Sequence, residues 1–131
     1  MLSYGASVNP LFLSLTATSG LLAVALGAFG AHGLKSRISP ELLQIYQTAV
    51  QYHFAHTFAL GFNTLALAMD PTATSTAANW FFVAGILLFS GSLYLMAITS
   101  LKWWGAITPI GGTLWIVAWG LMIRSALMAK L

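Results

Sequence analysis

The sequence lacks cysteine and has very few charged residues. Only 5% of its 131 residues are charged, where an average soluble domain has about 25%. The absence of cysteine excludes disulfides, thiolate metal ligands and thiol nucleophiles. The five cations face only two anions and lie near the ends of predicted helices, so no basic stripe is present. We therefore expect no nucleic-acid partner.

Carboxylates are especially scarce, and the two that exist stand far apart. Glu41 and Asp70 lie at opposite ends of one predicted helix, roughly 43 Å apart at the rise of an α-helix. This separation excludes a catalytic carboxylate pair within one subunit. The apolar stretches contain no Asp or Glu, the groups that mark proton pathways in membrane carriers. Glu41 is expected to act as a helix-capping charge.

Apolar residues, in contrast, are abundant and make up 59% of the sequence. Three stretches have the roughly 20 apolar residues that a membrane span requires, and a fourth, more polar stretch is also long enough. The sequence therefore predicts an all-α polytopic membrane protein, a bundle of four transmembrane helices with short loops. The predicted helices cover about residues 9–34, 40–69, 79–100 and 103–126, and residues 1–131 form one domain.

The stretch from Pro40 to Met69 changes character halfway along when it is wound as a helix. Glutamines occupy one side of the first half, which is typical of a side that faces water. In the second half the polar residues move to the opposite side, and phenylalanines replace them. An unsatisfied polar atom in hydrocarbon costs on the order of several kcal/mol. We therefore expect this half to bury His53, His56, Thr57, Asn63 and Thr64, and to present Phe54, Phe58 and Phe62 to lipid.

Small residues recur along one side of the first and third predicted helices. Such a side allows helix backbones to approach closely in lipid, although a span that is merely rich in Gly and Ala is the alternative. The residues assigned to helix packing are Gly20, Gly27, Gly30, Gly85, Gly91 and Ser92.

A proline interrupts the fourth predicted helix. Pro109 removes one backbone hydrogen bond and is followed closely by Gly111 and Gly112, which predicts a kink or a short unwound turn near Thr108. Broken helices form substrate sites in some transporters, but a structural kink is the expected role.

Two histidines are the titratable groups predicted inside the bundle. His53 and His56 share one helix face, where imidazoles can hold a metal, ligate haem or relay a proton. They form an incomplete metal site, because the next histidine, His32, is predicted to lie roughly 15 Å or more from His53. We expect no metal and no cofactor, and imidazoles that are hydrogen-bonded within the bundle; the other roles stay open as alternatives.

Four motifs, one on each predicted helix, give the chain a family resemblance. They are G-A-F-G-A-H-G-L at 27–34, Y-Q-T-A-V-Q-Y-H-F-A-H at 46–56, F-S-G-S-L-Y at 89–94 and G-A-I-T-P-I-G-G at 105–112. The chain resembles the YgdD-like small inner-membrane proteins, a family of unknown function numbered four-two-three, from about residue 13 to residue 125. The resemblance implies a four-helix inner-membrane protein without an established activity, cofactor or substrate. The N-terminal tail, Met1 to Pro10, departs from the pattern.

Two classes of function compete. Short loops and few reactive groups favour a non-catalytic membrane component, either a homo-oligomer or an accessory subunit of a larger membrane-protein complex. The alternative is a small transporter or channel, and an enzyme acting on a lipid or quinone is a third hypothesis. The candidate functional face for transport consists of His53, His56, Asn63, Thr108 and Pro109, within which Thr108 begins the break that extends to Gly112.

The cations also predict an orientation in the membrane. Lys35, Arg37 and Lys102 lie in the first and third connections, and the second connection has no cation. The positive-inside rule therefore places both termini outside the cytoplasm. Arg124 and Lys130 oppose this orientation.

Overall fold

The computed structural model describes residues 7–129, and all of their regular elements are helical. Lys130 and the first six residues of the N-terminal tail lie outside the described residues. In chain order the elements are α1 (Pro10–Phe29) with a π-helical turn (Gly30–Leu34), α2 (Pro40–Met69), α3 (Thr76–Gly85), a π-helical turn (Ile86–Ser90), α4 (Gly91–Thr99), a 3₁₀-helix (Lys102–Ala106) and α5 (Thr108–Met128).

The first two long helices begin with the same local chemistry. The Asn9 side chain accepts a hydrogen bond from the Leu11 N–H, and the Ser39 hydroxyl accepts one from the Leu42 N–H. A proline follows each cap, at a position where its missing N–H has no helical partner to lose. Both helices begin within one residue of the predicted starts, at about residues 9 and 40.

The prediction of four membrane spans is wrong. Within residues 7–129, three helical segments are long and apolar enough to cross a membrane, namely Pro10–Leu34, Thr76–Thr99 and Lys102–Met128. The 30-residue helix α2 is not among them. Its glutamines, histidines and asparagine lower its hydropathy, and much of its second half is covered by neighbouring helices. The length of α2 misled the prediction, because a helix of that length can also serve as the polar centre of a helical protein.

Helix α2 is the centre of the molecule. Helix α1 packs against one side of α2, α3 and α4 pack against another, and α5 packs mainly against α3. Neighbouring helices run antiparallel, since early residues of one bond to late residues of the next: Asn63 bonds to Asn79, and the Ser90 hydroxyl donates to the Ala49 carbonyl. One end of the molecule, which we call the cationic end, therefore carries Lys35, Arg37 and Lys102.

The apolar core has two parts along α2. One lies toward the cationic end and includes Tyr46, Leu93 and Tyr94; the other includes Leu60, Phe82 and Trp115. Between these parts, α2 carries its two buried histidines. The two histidines thus lie between two apolar parts of the core rather than at an end of α2.

Most of the glycines that were predicted to pack helices together contact another helix of the same protein. A Cβ at Gly30 would overlap the Tyr46 ring, and one at Gly85 would overlap the Trp115 indole. Gly27 and Gly20 also face α2, where a Cβ would lie 3.3 Å from Val50 and 3.8 Å from Thr57, respectively. The small face of α1 therefore packs against α2. Gly91 differs, because a Cβ there would meet no atom of the described residues closer than the Ile86 carbonyl oxygen at 4.0 Å.

The connection after α2 is a polar turn. The Thr72 hydroxyl donates to the Asp70 carboxylate at 2.7 Å, and the Thr72 N–H donates to the same oxygen at 2.8 Å. These bonds favour the ionised carboxylate and lower the pKa of Asp70.

Candidate functional site

The second half of α2 turns its polar side inward, as predicted. His53 is 3% exposed, His56 8% and Asn63 0%, whereas Phe58 is 71% and Phe62 64% exposed on the outer surface. The predicted exchange of sides along α2 is therefore confirmed. Burial alone does not define a site, so the partners of each polar group decide what it can do.

His56 is held between aromatic rings. Its imidazole stacks on the Trp115 indole with ring centroids 3.6 Å apart and an angle of 2° between the planes. Nδ1 lies 2.9 Å from the Tyr52 carbonyl oxygen, and Nε2 lies 3.4 Å from the Trp119 indole nitrogen. Phe82 packs against the ring as well. Both ring nitrogens therefore have partners from the chain itself.

These partners fix the tautomer of His56. A carbonyl oxygen can only accept a hydrogen bond and an indole N–H can only donate one, so Nδ1 carries the proton and Nε2 is the acceptor. Protonation of Nε2 would place two donors against each other. A metal at Nε2 would have to displace the Trp119 N–H. The geometry suits a neutral structural histidine.

His53 has partners of a different kind. Its Nε2 lies 3.1 Å from the Ser19 hydroxyl on α1, and its Nδ1 lies 3.0 Å from the Tyr94 hydroxyl on α4. The Ser19 hydroxyl also lies 2.6 Å from the Thr57 hydroxyl. His53 thus links three helices through one chain of side-chain hydrogen bonds, which we call the hydroxyl chain: Tyr94, His53, Ser19 and Thr57.

The hydroxyl chain can run in either direction. Tyr94 can donate to Nδ1 while Nε2–H donates to Ser19, or Ser19 can donate to Nε2 while Nδ1–H donates to Tyr94. A hydroxyl both donates and accepts, so neither tautomer of His53 is excluded. His53 is satisfied in both arrangements, but its protons are not fixed in position.

Asn63 belongs to a third network, at the end of the molecule opposite the cationic end. Its amide nitrogen donates to the Ser75 carbonyl at 3.0 Å and to the Asn79 side-chain oxygen at 2.8 Å. Its own oxygen accepts from the Thr74 hydroxyl. The Asn79 amide nitrogen then donates to the Thr64 hydroxyl at 3.2 Å. This network holds the end of α2 to the start of α3.

Asn79 corrects one expectation of the sequence analysis. The third helix was predicted to begin at about residue 79, but α3 begins at Thr76 after Ser75, and Asn79 lies buried within the helix. Its spacing from the buried Phe82 indicates an inward side of α3, and that signal could have identified it. The sequence could not identify Asn63 as the partner of Asn79, because only the packing of α2 against α3 brings the two side chains together.

The expected break near Thr108 is a change of helix type. A 3₁₀-helix ends at Ala106 and α5 begins at Thr108, with Pro109 exposed in its first turn. The Thr108 hydroxyl lies 2.7 Å from that of Ser92 on α4. Gly111 lies directly against the Phe89 backbone. The break is thus covered by the segment that leads into α4.

The five residues of the candidate functional face do not form one continuous site. Each of the groups around His53, His56, Asn63 and Thr108 has its own hydrogen-bond partners. His32 lies at the surface in the turn after α1, away from this interior layer. Within residues 7–129, no three His, Asp or Glu side chains stand close enough to hold a metal ion.

Comparisons with known proteins add the family. The sequence model described as "Protein of unknown function (DUF423)" matches residues 26–112, more than half of the chain. The chain belongs to the DUF423 family. The unknown-function membrane family that its motifs indicated is thereby confirmed, and the YgdD-like name stays a resemblance.

Relatives of this DUF423 protein cover nearly its whole length. It is 46% identical over 118 residues to the UPF0382 membrane protein YwdK of Bacillus subtilis (strain 168), covering 88% of this chain and 94% of that protein. It is 42% identical over 116 residues to the UPF0382 membrane protein SAB0533 of Staphylococcus aureus (strain bovine RF122 / ET3-1), with 86% and 92% covered. No solved structure matches the chain. The relatives and the three apolar helical segments agree on a membrane protein.

Proposed function

We propose that this protein is a non-catalytic membrane component that works by association, as a homo-oligomer or as an accessory subunit of a larger membrane complex. The observation that supports this most is the internal pairing of both buried histidines. His56 is saturated by Tyr52 and Trp119, and His53 by Ser19 and Tyr94. A group that has all its partners inside the chain is suited to specifying a fold.

The transporter hypothesis receives less support. A transport path needs polar groups that meet water or solute in sequence, and here each group of the candidate face bonds to a separate set of partners. The Trp115 ring covers one whole face of the His56 imidazole. Solute movement past that histidine would require the tryptophan to leave its stack.

The outer surface favours association within a membrane. Ile116, Ile123 and Leu127 on α5 are largely exposed, as are Phe58 and Phe62 on α2. Exposed apolar faces on this scale are covered by lipid or by another membrane protein. The small face of α1 does not serve this purpose, because it packs against α2.

For orientation, we propose that the protein lies in the inner (plasma) membrane with its cationic end toward the cytoplasm. Lys35, Arg37 and Lys102 are together at that end, in agreement with the positive-inside rule. Because successive helices, α2 included, run antiparallel, residues 7 and 129 both lie at the opposite end of the molecule, which then faces away from the cytoplasm. Alkaline phosphatase fused at the C-terminus should be active and a fluorescent-protein fusion dark; the reverse pattern would contradict this orientation.

The functional proposal is tested by purifying the untagged protein in mild detergent. We expect a defined oligomer or a co-purifying membrane protein, without stoichiometric metal and without haem absorbance. His53→Ala should lower the thermal unfolding midpoint and leave solute flux in liposomes unchanged. Thr113→Val, which removes an exposed hydroxyl on α5, is the control. A monomer, a stoichiometric metal lost in His53→Ala, or a flux that this variant abolishes would overturn the proposal.

A further inference from the structure

A cavity of about 310 Å³ lies between α1 and the segment that runs from α3 into α4, with α2 as its floor. Its lining comes from residues 15–26 of α1 and residues 83–94 of the facing segment. Both ranges lie in the middle of candidate membrane spans, Pro10–Leu34 and Thr76–Thr99. Leu22 and Leu87 line it and are also exposed on the outer surface. The cavity therefore opens sideways, at a depth where the surroundings are hydrocarbon.

The lining excludes a charged ligand group. The described residues that line it include no Lys, Arg, Asp or Glu, and the polar ones are Thr18, Ser19, His53 and Tyr94. A phosphate or an ammonium group placed there would lose its hydration without gaining a counter-charge. The ligand class is thereby restricted to uncharged molecules.

Ser19 has one hydrogen-bonding position left in either direction of the hydroxyl chain. A serine hydroxyl donates once and accepts twice. Whether its proton points to Thr57 or to His53, it uses its single donor and one acceptor position. The remaining position is always an acceptor, and it suits a ligand that donates.

Thr18 offers the opposite capacity. Its hydroxyl makes no hydrogen bond with any residue in 7–129, whereas the hydroxyl of Thr16 on the same helix donates to the Phe12 carbonyl. Thr18 can therefore donate to a ligand. A ligand hydroxyl, which donates and accepts, matches Ser19 and Thr18 together, while a carbonyl or an ether matches Thr18 alone.

We propose that this cavity binds a membrane-dissolved alcohol or phenol, an uncharged apolar molecule whose one polar group is a hydroxyl. The volume of about 310 Å³ is at the lower end of ligand pockets, which span roughly 300–1,000 Å³. It accommodates the hydroxyl head and the start of an apolar chain. The rest of the ligand's apolar chain extends past Leu22 and Leu87 into the surrounding lipid. This site is independent of the proposed association.

Binding is measured with farnesol on the full-length protein in phosphatidylcholine nanodiscs, with farnesyl methyl ether as the matched control. The readout is the thermal unfolding midpoint as a function of ligand concentration, because a ligand that binds only the folded state raises it. Farnesol should raise the midpoint in a saturable way. The ether has the same chain but cannot donate to Ser19, and we expect it to bind about tenfold more weakly.

Two variants locate the site. Gly91→Leu fills the cavity from a position with space for a side chain. Gly120→Leu adds the same side chain to α5, where a Cβ meets no atom of residues 7–129 within 4 Å. Farnesol should stop stabilising Gly91→Leu and still stabilise Gly120→Leu. Thr18→Val should weaken binding about tenfold, whereas Thr113→Val, which removes a hydroxyl on α5, should not.

Several results would overturn the proposal. They are a farnesol effect that does not saturate, equal stabilisation by the ether, wild-type binding by Thr18→Val, and equal binding by the two leucine variants. If Gly91→Leu does not fold, the comparison of Thr18→Val with Thr113→Val decides the matter alone. Loss of farnesol binding in both threonine variants would also contradict the assignment of the binding site to this cavity.

Discussion

His53 and His56 lie on the same face of α2, yet they are held in opposite ways. His56 sits between Trp115 and a backbone carbonyl, and its partners permit one tautomer. His53 sits among hydroxyls beside a cavity, and its partners permit two. The difference shows that burial does not determine what a histidine can do. The donor and acceptor character of its neighbours does.

The region around His56 should tolerate substitution less well than the region around His53. Gly85→Leu would drive a side chain into Trp115, which stacks on His56. We expect a loss of about 3 kcal/mol or failure to fold, read from the thermal unfolding midpoint in detergent. Gly120→Leu on the open side of α5 is the control, and an equal loss in both variants would show that this packing is not special.

Removal of His56, the histidine with one permitted tautomer, should have the next largest effect on stability. His56→Ala leaves the Tyr52 carbonyl and the Trp119 N–H without their partner and removes the ring beneath Trp115. We expect a loss of about 2–3 kcal/mol in stability, measured by denaturation in mixed micelles. A change below about 1 kcal/mol, within the range of a single ordinary hydrogen bond, would contradict the assigned structural role.

The same truncation at His53 should cost less. After His53→Ala, the hydroxyls of Ser19 and Thr57 keep each other as partners, and the adjoining cavity gives the site room to relax. We expect a loss of about 1–2 kcal/mol in the same denaturation assay. The comparison fails if His53→Ala is the more damaging of the two truncations.

A milder change sharpens the comparison. Trp119→Phe keeps an aromatic ring beside His56 and removes only the N–H that reaches Nε2. We expect a loss of about 1 kcal/mol, whereas Trp103→Phe, at an exposed position in the 3₁₀-helix, should be silent. Equal effects would show that the indole N–H contributes nothing to the fixed tautomer.

The sequence predicted what depends on one helix at a time. The inward side of α2 followed from periodicity, and the predicted starts of the first two helices, at about residues 9 and 40, lie within one residue of the observed ones. The number of spans was misjudged, because helix length was allowed to outweigh the low hydropathy of α2. Length does not distinguish a helix that crosses lipid from one that carries polar groups among its neighbours.

The candidate site could be predicted only in part from the sequence, for a related reason. Spacing on α2 placed His53, His56 and Asn63 on one side but could not show that each meets a different neighbour. The partners Ser19, Tyr94 and Asn79 come from α1, α4 and α3. Their identity depends on tertiary packing, which no single helix encodes.

The central claim, that the buried histidines are structural and held in opposite ways, is tested most directly by nitrogen-15 magnetic resonance of the imidazole rings at pH 7. His56→Gln and His53→Gln variants assign the two signals. We predict one neutral tautomer for His56, protonated at Nδ1, and a mixture of two neutral tautomers for His53. An imidazolium signal at His56, or a proton on its Nε2, would contradict the account.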